Sequence, residues 1–215
     1  MLPFFGELIS RTDEARRDFE TSPAIMDGVA HGLALERYRA LLLELYQVVW
    51  HFNPICAAAA SRVDDTHREV RYHLYAHMQE EVGHEQWVMN DLAAIGVAAD
   101  VVTAHVPSVH TQAMVGFNYW CADRRHPCAV LGMLYVLEVI ASVYGGAFST
   151  AVKERLLLDG EQGISFIGSH ADMDAQHMAG LRKLLNTLTD PAAREAVVES
   201  TLVNFHQVTR LIEAI

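Results

Sequence analysis

Residues 169–178 read SHADMDAQHM. His170, Asp174 and His177 stand four and three residues apart, so a helix puts all three side chains on one face. Imidazole, carboxylate and imidazole in one stripe make a metal-ligand pattern and a poor filling for an apolar core. The competing reading is a solvated helical face that carries two of the chain's 12 histidines. The rest of the chain decides between them.

The 215 residues are 51% hydrophobic and 20% charged, which fits one globular domain, residues 1–215, with a sizeable core. A formal charge of −11 argues against nucleic acid or an anionic membrane as partner. Cys56, Cys121 and Cys128 form no CxxC pair and read as reduced thiols of a cytoplasmic protein. The opening MLPFFGELISRTDEARR has its charges after a very short apolar run and does not read as a signal peptide. The longest apolar runs are interrupted by Glu44 and Glu138, so neither reads as a membrane span.

Outward from the opening stretch, nearly every segment has helical periodicity. Helices are expected from about Gly6 to Glu20, from Pro23, and from about Ala34 to a break or kink at Asn53-Pro54, beyond which CAAAASRV continues. One helix should run from Asp64-Asp65-Thr66 to Ile95, stopped by Gly96, with a loop over 97–109. Further helices are expected over His110–Asp123, from Pro127 through LGMLYVLEVIASVYGG, from the opening stretch to about Leu188, and after the Asp190-Pro191 cap. The expectation is an all-α bundle of seven or eight helices.

Ionisable residues inside these apolar runs carry the function. Glu44 sits in ALLLELYQVVW and Glu138 in LGMLYVLEVIASV, where a lone carboxylate would cost several kcal/mol or take up a proton. In the helix before Gly96, His73, His77, Glu81 and His84 fall within about 80° on a helical wheel. In chain order the set is Glu44, Glu81-x-x-His84, Glu138 and Asp174-x-x-His177: two single carboxylates and two carboxylate-x-x-His pairs on four helices. That is the two-metal logic of helical bundles. Four carboxylates balance two divalent ions, so the cluster can sit in an apolar interior. Carboxylates mixed with imidazoles suit iron or manganese, whereas structural zinc favours cysteine. His170 adds a seventh ligand.

Together HADMDAQH after ISFIGS, EEVGHEQWVMNDLAAIG and LGMLYVLEVIASVYGG resemble the heme-oxygenase-like di-iron oxidases and oxygenases, also called the iron-containing redox enzyme family and related to PqqC and TenA-like proteins. The resemblance spans about Ser22 to Leu188. It implies a compact heme-oxygenase-like bundle with two Fe(II) ions, or manganese, held by Glu44, Glu81, His84, Glu138, His170, Asp174 and His177. It also implies O2 as co-substrate, N-oxygenation of an amine or oxidative C–C cleavage of an amino acid or fatty acid, and a homodimer. The carboxylate offset on the second helix varies in the family, so His77 stays an alternative to Glu81 beside His84. Heme oxygenases carry a proximal histidine on the first helix. Here TDEARRDFE has none, with Arg16 or Arg17 in its place, so no heme is expected.

One turn from the ligands stand Leu41, Gln47, Val48, Leu134, Tyr135, Ser142 and Phe166 as expected pocket residues. Tyr135 and His77 are the candidate catalytic side chains. Arg37 reads as a surface ion pair or a clamp for a substrate carboxylate, and His51 as a satisfied core or surface histidine. Gly145-Gly146 costs a helix about 1 kcal/mol per residue, which makes sense if this helix bends or is closely approached. Two other readings compete: a TenA-like thiaminase or hydrolase with Cys121 or Cys128 as nucleophile, and a non-catalytic helical metal-binding protein.

Overall fold

Every residue from Cys128 to Val136 is buried, so the helix that carries Glu138 runs through the centre of the molecule. The computed structural model describes residues 3–215, apart from the side chains of residues 171–176. The helices in chain order are α1 (Phe4–Thr21), α2 (Pro23–His31), α3 (Leu35–Ala60), α4 (Arg68–Glu80), α5 (His84–Ala94), α6 (Ala99–Ala104), α7 (Val109–Arg124), α8 (Val130–Ile140), α9 (Gly146–Leu156), α10 (Ser165–Leu185) and α11 (Pro191–Glu213). Among the described residues there is no strand.

Around α8 pack α11, α10, α7 and α3, and α1 closes over α11. At the α8–α11 crossing, a Cβ on Gly132 would stand 2.6 Å from the Val197 carbonyl oxygen and 2.7 Å from Ser200. Only glycine permits that approach. The run Pro127–Leu156 is long and apolar enough to cross a membrane despite Glu138, yet 67% of its most apolar window is buried inside the bundle. Its apolar character is accounted for by the core it fills.

Several expected boundaries shift, each for a local reason. Asp190 caps α11 as its sequence suggests, accepting from the Ala192 and Ala193 N–H groups at 3.0 and 3.3 Å. Helix α3 runs on through Pro54, because Ile55, Cys56, Ala59 and Ala60 are all buried in the core and outweigh the roughly 3 kcal/mol that an interior proline costs. A short helix, α6, interrupts the loop expected over 97–109. The helix expected to run to Ile95 breaks at Glu81–Gly83, where Gly83 adopts φ +88°. Between α8 and α9 the chain makes a π-helical turn, Ala141–Gly145, just after Glu138.

Candidate metal centre

The break at Gly83 shapes the site. Helix α4 ends by presenting His77 inward, Glu81 follows in the turn, and His84 opens α5. Helix α8 supplies Glu138, and α10 supplies His170 and His177. Among the described residues these six fall into two groups of three: His77, Glu138 and His177, and Glu81, His84 and His170. Within each group the donor atoms lie within 4.8 Å of one another.

In the first group Glu138 Oε1 is 3.5 Å from His77 Nε2 and 3.2 Å from His177 Nδ1. The other oxygen of Glu138, Oε2, is buried without a hydrogen-bond partner among the described residues. In the second group Glu81 Oε2 is 2.6 Å from His84 Nδ1 and 3.7 Å from His170 Nε2. His77 Nε2 lies 3.9 Å from Glu81 Oε1 and so links the groups. His170 Nδ1 donates to the Phe166 carbonyl at 2.8 Å, which turns Nε2 toward Glu81.

Burial pushes His77 down to about 4, helped by the neighbouring histidines and against the pull of Glu81. Its imidazole is therefore neutral at pH 7 and has a lone pair for a metal. Burial works to raise Glu81, but the facing His170 and His84 imidazoles hold it well below the usual carboxylate range. The hydrogen bond to Glu138 holds a proton on His177 up to about 9, against its burial. A proton on His177 and a metal ion are alternative ways to balance Glu138.

The other sequence candidates lie elsewhere. Glu44 is buried but stands apart from both groups. Its Oε1 meets His105 Nε2 at 3.0 Å, and the carboxylate accepts the Ser108 N–H at 3.0 Å, tying α3 to the start of α7. Tyr135 is buried edge-on against Phe5 and Phe205, facing α1 and α11. The side chain of Asp174 lies outside the described residues. His77 and Glu81, alternatives in the sequence, are both present in the cluster. Asp91 was not a sequence candidate. Buried on α5, it accepts the N–H groups of Ser165 and Phe166 at 2.9 and 2.8 Å and so fixes the start of α10. An aspartate in HEQWVMNDLAA gives no signal of that role, because its partners are 74 residues away.

His77, Glu81, Glu138 and His170 form the polar end of a cavity of about 250 Å³. Its walls are apolar: Phe19 from α1, Leu41, Leu45 and Val48 from α3, Leu134 from α8, Phe148 from α9, Phe166 from α10 and Leu211 from α11, with Tyr144 from the π turn. Of the expected pocket residues, Leu41, Val48, Leu134 and Phe166 line it. Gln47 instead bonds the His105 carbonyl, Ser142 the Glu138 carbonyl, Arg37 the Ile215 carbonyl, and His51 the Tyr119 hydroxyl. Cys121 and Cys128 are buried away from this cavity, and burial pushes each thiol up to about 12, so neither is an activated nucleophile there.

Two clusters of buried and half-buried imidazoles and carboxylates, one with a carboxylate oxygen that has no hydrogen-bond partner among the described residues, fit a pair of metal ions. The molecule is thus a helical bundle with a carboxylate–histidine centre bordering an apolar cavity. Residues 39–204 match the iron-containing redox enzyme family, and the chain belongs to it. No curated protein matches the chain. Among solved structures, a heme oxygenase-like domain of unknown function from Shewanella denitrificans OS217 superposes with TM-score 0.86 at 20% identity, over 100% of this chain and 92% of that one. A TenA homologue from Pseudomonas syringae pv. tomato gives 0.83 at 14% identity, over 98% and 91%. Heme oxygenase-1 from Synechocystis, solved in complex with heme, gives 0.79 at 17% identity, over 99% and 92%.

That last likeness corrects the cofactor expectation of two Fe(II) or manganese ions with O2 and no heme. The fold is shared with a protein that holds heme, so the exclusion of heme does not stand. Its physical weakness was that it rested on α1 alone. The structure brings His77 and His170 to the cavity from α4 and α10, so an imidazole facing that space is not lacking.

Proposed function

We propose that the chain is an oxidoreductase that activates O2 at two iron ions held by its own side chains, and oxidises an organic substrate with a largely apolar body. The observation that carries this reading is the pair of three-donor groups, four of whose residues line an apolar cavity, with Glu138 Oε2 buried and without a hydrogen-bond partner among the described residues. His77, Glu138 and His177 would hold one ion, and Glu81, His84 and His170 the other. When bound, the ions supply the electrons and the open coordination positions for reaction with O2.

The chain's own residues do the rest. The hydrogen bond from His170 Nδ1 to Phe166 and the cap from Asp91 to α10 keep the α10 donors aimed at the turn after α4. The apolar walls exclude water and orient a hydrocarbon portion of the substrate toward the metal end. The Tyr144 hydroxyl donates to Glu20 Oε1 at 2.5 Å, a polar point on an otherwise apolar wall.

The deciding experiment is anaerobic Fe(II) titration of metal-stripped protein, then mixing with O2, alongside reconstitution with hemin. The reading expects two irons per chain and an absorbance transient with O2, and in His177→Ala an uptake of one iron and no transient. One heme per chain with a Soret band, and no Fe(II) uptake by the stripped protein, would replace this reading with a heme-dependent one.

A further inference from the structure

A second gathering of metal-type donors lies outside this centre, where three chain turns meet. One is the turn Asp64–His67 that enters α4, one is the turn His126–Ala129 that enters α8, and the third is Asp190, the cap of α11. Among the described residues, His67, His126 and Cys128 each offer one donor atom within 4.8 Å of the others. Both imidazoles face the same carboxylate oxygen: His67 Nε2 is 3.6 Å and His126 Nε2 is 3.4 Å from Asp190 Oδ2. The rings meet edge to face, with centroids 5.2 Å apart. Cys128 forms a fully buried floor, while the Asp190 side chain is 34% exposed and leaves the rim open.

We propose that these residues are a structural site for a divalent cation of the zinc type, with His67, His126, Cys128 and Asp190 as its four ligands. One sulfur, two nitrogens and one oxygen are a tetrahedral zinc set, unlike the cysteine-free centre above. Thiolate and carboxylate balance the +2 charge. Asp64 Oδ1, 3.3 Å from His67 Nδ1, supplies the outer carboxylate that orients a metal-bound imidazole. Zinc bond lengths require ligand atoms about 3.4–3.6 Å apart, so His67, His126 and Cys128 close by up to about 1.4 Å, and Asp190, already at that distance from both imidazoles, turns toward the thiol. That movement falls in short turns. On binding, the Cys128 S–H bond breaks, its proton goes to solvent, and no electron changes hands. His126 Nδ1 then gives up its long 3.3 Å bond from the Cys128 N–H and carries the ring proton itself. Three helix N-termini point at this place and oppose a bare cation, so binding depends on the thiolate and on Asp190.

The site would pin α4, α8 and α11 together whatever the catalytic centre holds. Its test is cobalt(II) loading of the full-length, chelator-stripped chain. The proposal expects a near-ultraviolet thiolate-to-cobalt charge-transfer band and intense tetrahedral visible bands, bleached by added zinc. Both signals should survive Glu138→Gln and vanish in Cys128→Ser and in His126→Ala. Because Cys128 is in the core, its replacement can unfold the chain; the partly exposed His126 gives the cleaner variant, with its fold checked by circular dichroism. A wild-type chain without the charge-transfer band, or a band that survives in folded His126→Ala, would overturn the proposal.

Discussion

Glu44 and Glu138 look alike in sequence, each a lone carboxylate in an apolar helical run, and the structure gives them different work. Glu44 accepts hydrogen bonds from His105 and the Ser108 N–H, and these, with Thr111, hold it below its ordinary value of 4.5 against its burial. A depressed carboxylate stabilises the fold above its unfolded value, and that contribution is lost as pH falls through the folded value. Glu44→Gln should therefore cost about 2 kcal/mol near neutrality, with the gap from wild type closing below about pH 4.5 in urea melts taken across pH. Its iron stoichiometry should stay at two per chain. Glu138→Gln should instead drop uptake from two irons to one, read by metal analysis of the folded variant. The helical wheel shows which residues share a face, and it gathered Glu81, His84, His170 and His177 as site residues. It cannot show what that face meets. For that reason Glu44 and Tyr135 read as site residues in the sequence, and Asp91 did not.

At the scale of elements, the centre depends on two devices that interrupt or anchor helices. Gly83 ends the run after α4 at φ +88°, and a Cβ there would meet nothing within 4 Å. Gly83→Ala should thus cost about 1–2 kcal/mol through backbone strain alone. It should also weaken iron binding, since Glu81 and His84 flank the turn; parallel denaturant melts and iron titrations would show both effects or refute the link. Asp91→Ala strips the cap from α10, leaves two N–H groups without their acceptor and should cost about 3 kcal/mol. Amides at the start of α10 should then exchange faster than those of α11 in hydrogen-exchange measurements. The glycine of EEVGH was visible, but a helix tolerates an isolated glycine at a cost of only about 1 kcal/mol, so local sequence favoured continuity where tertiary packing imposes a turn.

Across the whole molecule, the all-helical architecture was legible because 3.6-residue periodicity and caps such as Asp190-Pro191 recur along nearly the full chain. The cavity was not, since it joins Phe19 of α1 to Leu211 of α11, and no local pattern reports such distant pairings. If the centre binds metal only in the folded chain, each ion loaded at a hundred times its Kd should stabilise it by about 2.7 kcal/mol. For a chain of this size that raises Tm by roughly 5–10 °C per ion. Calorimetry with and without Fe(II) under argon measures it, and an unchanged Tm would count against a built centre.

The π turn after Glu138 gives the length of the chain a meaning of its own. Such a turn holds one residue more than an α-helical path between the same ends. Deleting one residue within Ala141–Gly145 should therefore restore ordinary helix and leave α9 in the same orientation relative to Glu138. Ala141, Tyr144 and Gly145 of the turn line the cavity, so that stretch of wall would change while Phe148 and Glu138 stayed in place. A change of length at this one spot would refit the cavity in a single genetic step, without touching any of the six clustered donors.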